Sequence, residues 1–297
     1  MYFPNNVRML VDWRQNAALL YVAALLCLTV GCGAAAHNKS DAVAAAQPVD
    51  DDALRLKLHK AAVALVHARK HVATATLVRQ LSRHQLTLPA LTKPAGSLRD
   101  AVVVLGTLYR CDKCSDWHLG ISTGFLISAA GACVTSYHVV DRPETETLVA
   151  MTATGTIHAV REVLAADKLH DVAIVRLEGQ GFHALDLGHD PSPGARVRVL
   201  SHPDSHFFSL TEGVVSRSYV RQGMGGPATM IEVTAAFAKG SSGAPVVNEA
   251  GAVIGVASNT HSIYYHDDKK PHGVRENLQM VLRRASPVSA LRRLLSR

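Results

Sequence analysis

From Leu98 onward the chain is cut into about a dozen short apolar runs, each closed by glycine or a polar cluster, and this rhythm constrains the fold more than any other feature. The first runs are Ala101–Leu108, Gly124–Ile127, Ala132–Thr135, Leu148–Thr152, His158–Leu164 and Val172–Leu177. The later ones are Arg196–Leu200, Thr211–Ser216, Met230–Thr234, Pro245–Val247, Val253–Ser258 and Leu278–Arg283. Short stretches rich in β-branched side chains and bounded by turn residues read as strands. So many, with hardly a helix among them, predict an all-β fold of antiparallel barrels or sandwiches. Pro287–Leu295 reads as one closing helix, with Ser286 as its cap and Pro287 in the first turn. The hydrophobic content of 48% is ample for a core.

Upstream the texture differs. Asp50, Asp51 and Asp52 precede a stretch from Ala53 to about Gln85 that lacks Gly and Pro. Acids favour a helix start through capping and the helix dipole. Leu58, Leu65 and Val72 recur every seventh residue, with Ala61, Ala68 and Ala75 between them, which predicts one long helix with a single apolar stripe. Arg79 and Ser82 interrupt the stripe and argue against a long coiled coil. Packing on its own domain and self-association into a homo-oligomer both remain open. Pro89 and Lys93–Gly96 end the segment.

At the N-terminus, Arg8 and Arg14 flank an apolar stretch, Ala17–Val30, and no charge follows until Lys39. That is the layout of a secretory signal. Leu28–Cys32 resembles a bacterial lipoprotein box with Cys32 as the lipidated residue. Ala34–Ala36 offers a cleavage site instead, and an uncleaved anchor is the third reading. All three place the remainder outside the cytoplasm, and the lipoprotein is favoured. The expected organisation is residues 1–36 as signal, 37–96 as tether and helix, and 97–297 as the strand-rich domain. The net charge of +7 is spread over several segments, and the basic run from Arg283 to Arg297 reads as a solvated end. No nucleic-acid partner is expected.

Chemistry concentrates in Lys239-Gly240-Ser241-Ser242-Gly243-Ala244-Pro245. A serine on a glycine-framed turn, flanked by backbone N–H groups, is what acyl transfer needs, although the same residues make ordinary turns. A serine nucleophile needs a base, and the base an orienting acid. With 16 histidines in the chain, the setting must decide. His138 follows the run Ala132–Thr135. Asp171 opens the apolar run Val172–Leu177, where a carboxylate is costly unless paired, and a histidine Nδ1–H is such a partner.

Six stretches, in order, resemble the trypsin-fold serine peptidases and in particular their HtrA/Deg branch. They are Thr123–Ser128, Thr135–Val140, His170–Arg176, Thr211–Ser216, Gly240–Val246 and Gly251–Val256. The resemblance covers about Leu98 to the C-terminus and implies two six-stranded antiparallel β-barrels. It makes Ser242 the nucleophile, His138 the base and Asp171 its orienting acid, with the N–H groups of Gly240 and Ser242 as the oxyanion hole. Ser241 departs from the Asn or Asp usual before the nucleophile, and Ala244 from a second Gly. The family's common PDZ domain is not found in this sequence. The resemblance implies an endopeptidase acting on polypeptides with no cofactor, and the N-terminal segment adds the expectation that it is exported and lipid-anchored. The rival class is an envelope chaperone that uses the fold without cleavage. The specificity pocket is expected to be walled by Ala236, Phe237 and Ala238 and by Val256, Ala257 and Ser258. No carboxylate stands among these, which favours small or medium aliphatic side chains.

Five cysteines are present. Cys27 and Cys32 belong to the signal. Cys111 and Cys114 are expected to form a local disulfide in an oxidising envelope. Zinc on this pair with His118 is the alternative, set aside because no fourth ligand stands out. Cys133 reads as a buried thiol. His261, His266 and His272 with Asp267 and Asp268 read as a solvated hairpin, and His202 and His206 are given no chemistry.

Overall fold

All the apolar runs form strands in the computed structural model, which describes residues 48–82, 96–222, 225–264 and 277–296. Val49–Arg297 forms one compact unit. Its first six strands are β1 (Val102–Arg110), β2 (Trp117–Leu126), β3 (Ala132–Thr135), β4 (Thr147–Met151), β5 (Ile157–Asp167) and β6 (Val172–Leu177). They close into a barrel in the order β1-β2-β3-β6-β5-β4. The second six are β7 (Arg196–Ser201), β8 (Ser209–Arg221), β9 (Ala228–Val233), β10 (Pro245–Val247), β11 (Val253–Tyr264) and β12 (Leu278–Pro287). They close as β10-β11-β12-β9-β8-β7, so both barrels are wound alike and every pairing within them is antiparallel.

The apolar runs lack polar alternation because both faces of many strands are covered. Side chains alternate across a strand. In β1, Val102, Val104 and Leu108 join one buried cluster while Val103 and Leu105 join another. In β6, Val172 and Ile174 go to the first, and Ala173, Val175 and Leu177 to the second. The first cluster also takes Leu200, Phe207, Val247 and Val256 from the second half of the chain, and it unites the two barrels. A third cluster, with Val197, Val199, Val233 and Val246, belongs to the second barrel alone.

The single long helix gives way to two. Helix α1 (Asp51–His67) is capped by Asp50, whose carboxylate accepts the Ala53 N–H at 2.9 Å. The chain turns at Arg69, which takes a left-handed φ of 55°. Ala73 then bridges Thr147 beside β4, and helix α2 (Thr74–Gln80) follows. The heptad spacing does not run through, because one straight helix could not follow the curved barrel surface. Leu58 and Ala62 are buried on one part of it, and Leu77 on another. Two one-turn helices, α3 (Leu98–Ala101) and α4 (Tyr137–Val140), sit within the first half. The closing helix α5 (Val288–Leu295) has Pro287 at its N-cap and no side-chain cap. Ser286, the expected cap, is fully buried and donates instead to the carbonyl of His170. Among the described residues no helix is long and apolar enough to cross a membrane.

Candidate active site between the barrels

Each barrel contributes part of one cluster. From the first, α4 presents His138 directly after β3, and Asp171 stands immediately before β6. From the second, Ser242 lies on the turn leading into β10. The Asp171 backbone takes a left-handed φ of 55°, a conformation that aspartate tolerates better than most side chains. Its carbonyl accepts the Tyr137 N–H at 3.1 Å, and its carboxylate accepts the His138 N–H at 3.0 Å. The short helix is thus docked on the acid before the imidazole is considered.

The His138 ring then bridges the barrels. Nδ1 lies 2.9 Å from Asp171 Oδ2 and 3.0 Å from Oδ1, and Nε2 lies 3.0 Å from Ser242 Oγ. A carboxylate can only accept, so Nδ1 carries the ring proton and Nε2 is left to accept from the serine hydroxyl. The Asp171 carboxylate is largely buried and also accepts from Ser258 Oγ at 2.5 Å. Burial pushes this carboxyl up, but the hydrogen bond and charge of His138, with Ser258 and the His138 N–H, outweigh it. The net direction is below the usual carboxylate range, so the group stays ionised.

The turn carrying Ser242 needs both of its glycines. Gly240 has φ 99° and Gly243 φ 87°. A Cβ on Gly240 would fall closer than 3.0 Å to the His202 carbonyl oxygen, and one on Gly243 would meet Thr123 and Thr135 as tightly. The Lys239 carbonyl accepts the Asp204 N–H at 2.7 Å. In a trans peptide C=O and N–H point oppositely, so this bond aims the Gly240 N–H away from Asp204. The N–H groups of Gly240 and Ser242 have no internal acceptor among the described residues. Ser241 is fully buried, with its Oγ 2.9 Å from Ser201 Oγ and its N–H on the Ala238 carbonyl. It anchors the turn where the resembled family has Asn or Asp.

Of the six expected pocket residues, Val256 and Ala257 are fully buried and belong to core clusters, and Phe237 is 6% exposed within the second barrel's core. Side chains so enclosed do not line an open pocket. Ala236 and Ala238 are exposed. Ser258 serves the acid instead of a wall: besides bonding Asp171, its carbonyl lies 3.2 Å from Ser242 Oγ. A cavity of about 200 Å³ adjoins the turn, bounded by Tyr109, Leu119, Ile121, Asp204, Lys239 and Gly240 among others. A cavity of about 760 Å³ lies between Arg196, Arg198, Glu212 and Glu249 and holds none of the site residues.

Sequence reasoning missed Ser258 as a partner of Asp171, and it missed the His202–Ser205 loop that holds the Gly240 peptide. The signal for Ser258 was a hydroxyl ending the apolar run Val253–Ala257. The loop showed none beyond its proline. Cys111 and Cys114 do not form the expected disulfide. Their sulfurs stand 3.3 Å apart as thiols, beyond the roughly 2.05 Å of a bond, with His118 Nε2 3.0 Å from Cys114 Sγ. Cys133 is fully buried, and burial pushes its thiol up. Cys27, Cys32, the signal segment, His266, His272, Asp267 and Asp268 lie outside the described residues.

Two closed six-stranded barrels with serine, histidine and aspartate meeting at their junction define the trypsin fold. The family described as "Trypsin-like peptidase domain" matches residues 122–256. The chain is 30% identical over 140 residues to a "Probable periplasmic serine endoprotease DegP-like" of Ectopseudomonas mendocina, covering 46% of this chain and 29% of that protein. It is 33% identical over 189 residues to "Protease Do-like 2, chloroplastic" of Arabidopsis thaliana, covering 59% of this chain and 30% of the relative. Among solved structures, "HtrA-type protease AlgW with tripeptide" superposes with a TM-score of 0.50 at 19% identity, covering 66% of this chain and 60% of that one. The structural match supports the fold. The sequence matches show that residues 122–256 are similar to trypsin-like peptidase domains and that the chain resembles relatives described as DegP-like and Do-like proteases. The chain spans about 30% of the length of these curated relatives.

Proposed function

We propose that this chain is an exported serine endopeptidase that cleaves polypeptides through an acyl-enzyme on Ser242. The observation that carries the reading is the unbroken path from Asp171 through His138 to Ser242 Oγ, with links of 2.9 and 3.0 Å. In the first half-reaction the hydroxyl proton passes to His138 Nε2 as Oγ attacks the scissile carbonyl. The Gly240 and Ser242 N–H groups receive the developing oxyanion. His138 then delivers the proton to the leaving amine, and water repeats the sequence to release the acyl group. Asp171 holds the tautomer and stabilises the imidazolium without taking the proton.

Export follows from the signal-like N-terminus and accords with relatives described as periplasmic. The expected substrates are envelope or misfolded proteins, and the proposed anchor is a lipid on Cys32. Neither stretch expected to wall the pocket, Ala236–Ala238 or Val256–Ser258, carries a carboxylate, which favours cleavage after small or medium aliphatic residues, since an unpaired buried Lys or Arg would be costly.

A fluorophosphonate probe tests the chemistry without knowledge of the substrate. The wild type should label at one serine, and Ser242→Ala or His138→Ala should cost on the order of 10⁶ in turnover. Labelling that persists in Ser242→Ala, or an inert wild-type protein, would overturn the reading. Mature protein recovered without lipid on Cys32 would remove the anchor and leave the peptidase standing.

A further inference from the structure

The turn end of the β1–β2 hairpin carries a cluster that the peptide chemistry does not use. Cys111 follows β1 directly, Cys114 lies in the turn, and His118 is the second residue of β2. The Cys111 Sγ, Cys114 Sγ and His118 Nε2 atoms all lie within 4.8 Å of one another. From these positions we propose that Cys111, Cys114 and His118 bind one zinc-like divalent ion, with water in the fourth position.

Two thiolates and an imidazole select soft or borderline metals such as Zn²⁺ over Mg²⁺ or Ca²⁺. With Zn–S of about 2.3 Å and Zn–N of about 2.05 Å, tetrahedral geometry needs roughly 3.8 Å between sulfurs and roughly 3.6 Å between sulfur and nitrogen. The observed 3.3 and 3.0 Å fall about half an ångström short of those separations, which side-chain rotation in an exposed turn can supply. On binding, both thiols release their protons to solvent, and the ion with two thiolates and a neutral imidazole carries no net charge.

The surroundings prepare the ligands. The His118 ring stacks on Tyr109, its partner in the ladder, with centroids 5.4 Å apart. The next pair outward, Arg110 and Trp117, stacks as a cation over a ring at 4.2 Å. Cys114 is exposed, which leaves room for the fourth ligand and an entry path. Among the described residues three protein ligands gather here, and water in the fourth position makes an open site.

The position also gives the ion a lever. From His118, β2 runs to Thr123, whose N–H donates to the Ser242 carbonyl at 3.0 Å and whose Oγ1 donates to the Gly240 carbonyl at 2.8 Å. An ion at the outer end of this strand would pin the element that holds the nucleophile turn at its inner end. Metal binding itself does not depend on the peptidase reading.

The test is a titration of the reduced, chelator-treated full chain with Co²⁺. Thiolate-to-cobalt charge-transfer absorption and the visible bands of tetrahedral cobalt should saturate at one equivalent and vanish on adding one equivalent of Zn²⁺. Cys114→Ser and His118→Ala should each weaken binding by more than about 100-fold, while Cys133→Ala, buried on β3 at the far end of β2 from the proposed ligands, should leave it intact. Circular dichroism confirms that each variant is folded, and Cys111→Ser serves if one is not. No absorption with both thiols counted as reduced, or a titration unchanged by Cys114→Ser, would overturn the proposal. So would a Cys111–Cys114 disulfide that re-forms under mild reductant and excludes the metal.

Discussion

Replacing Gly240 by alanine separates two effects that usually travel together. Its φ of 99° lies in the left-handed region, where an L side chain costs about 1–2 kcal/mol. The added Cβ would also meet the His202 carbonyl oxygen inside 3.0 Å. Backbone stands on both sides of that contact, so no rotamer change relieves it. The turn must move away from the His202–Ser205 loop, and the bond from the Asp204 N–H to the Lys239 carbonyl breaks, at about 1 kcal/mol. The expected total is about 2–3 kcal/mol of stability. Gly251→Ala is the control, because its φ of 79° is equally left-handed but its Cβ would meet nothing within 4 Å. It should lose only the backbone term, about 1–2 kcal/mol. Moving the Gly240 peptide also takes one N–H away from the oxyanion, which should lower kcat by about 10²–10³. Urea unfolding and the rate of fluorophosphonate labelling measure the two effects. The argument is refuted if Gly240→Ala labels within threefold of wild type, or if both variants lose the same stability.

Three further outcomes follow from the geometry. Ser258→Ala removes a donor to the buried Asp171 carboxylate, a charge-assisted bond worth about 1.5 kcal/mol or more, so kcat/KM should fall at least about tenfold and recover in Ser258→Thr. His202 is fully buried, and burial, with the charge of Arg99 second among the lowering causes, pulls its imidazole from an ordinary 6.5 down to about 3. The unfolded chain therefore binds this proton first, and stability by urea titration should be full above about pH 6.5 and fall steadily toward pH 3, a slope that His202→Phe should flatten. Glu232 is 3% exposed and bonded to Arg217 at 2.6 and 3.0 Å, with Arg284 at 3.5 Å. Because Arg217 is half-exposed, Glu232→Gln should cost only about 1–2 kcal/mol in urea unfolding, with labelling of Ser242 unchanged.

Strands were legible where burial on both faces left a continuous apolar signal, as in β1 and β6. Strand length was not. β8 runs over Ser209–Arg221, well past the apolar core at Thr211–Ser216, because ladder bonds to β9 continue through exposed Arg217 and Ser218 to half-buried Arg221. Backbone pairing leaves no hydrophobic trace. The seven-residue spacing of Leu58, Leu65 and Val72 suggested one helix, but local periodicity carries no information about the curvature of the surface it must cover. His138, Asp171 and Ser242 stood out because each broke its local pattern: an acid opening a buried strand, a serine framed by glycines. Ser258 ended an apolar run as many surface residues do. What distinguishes it is the carboxylate it faces across 87 residues of sequence.

The cluster's geometry is a property of the junction and not of either barrel. His138 and Asp171 are fixed to each other by three separate hydrogen-bonded contacts within the first barrel: the Tyr137 N–H, the His138 N–H and the imidazole. Ser242 is fixed to the second through Gly243 N–H on the Ala257 carbonyl at 2.7 Å and through the Ser241–Ser201 pair. Among the described residues the polar ties between these halves include Ser258 Oγ on Asp171, Ser286 Oγ on the His170 carbonyl and Arg221 on the Leu169 carbonyl. Thr123 bonds the Ser242 and Gly240 carbonyls, and Ser136 Oγ bonds the Ala257 carbonyl at 3.0 Å. Each such tie is worth about 1 kcal/mol net, whereas unfolding a barrel exposes a whole core. Sliding one barrel against the other would silence the site with acid and base still paired and the serine still on its turn, at the cost of these ties and of contacts in the apolar cluster that unites the barrels. β2 carries Thr123, so any event that repositions this strand acts directly on the bonds that hold the nucleophile turn against the first barrel.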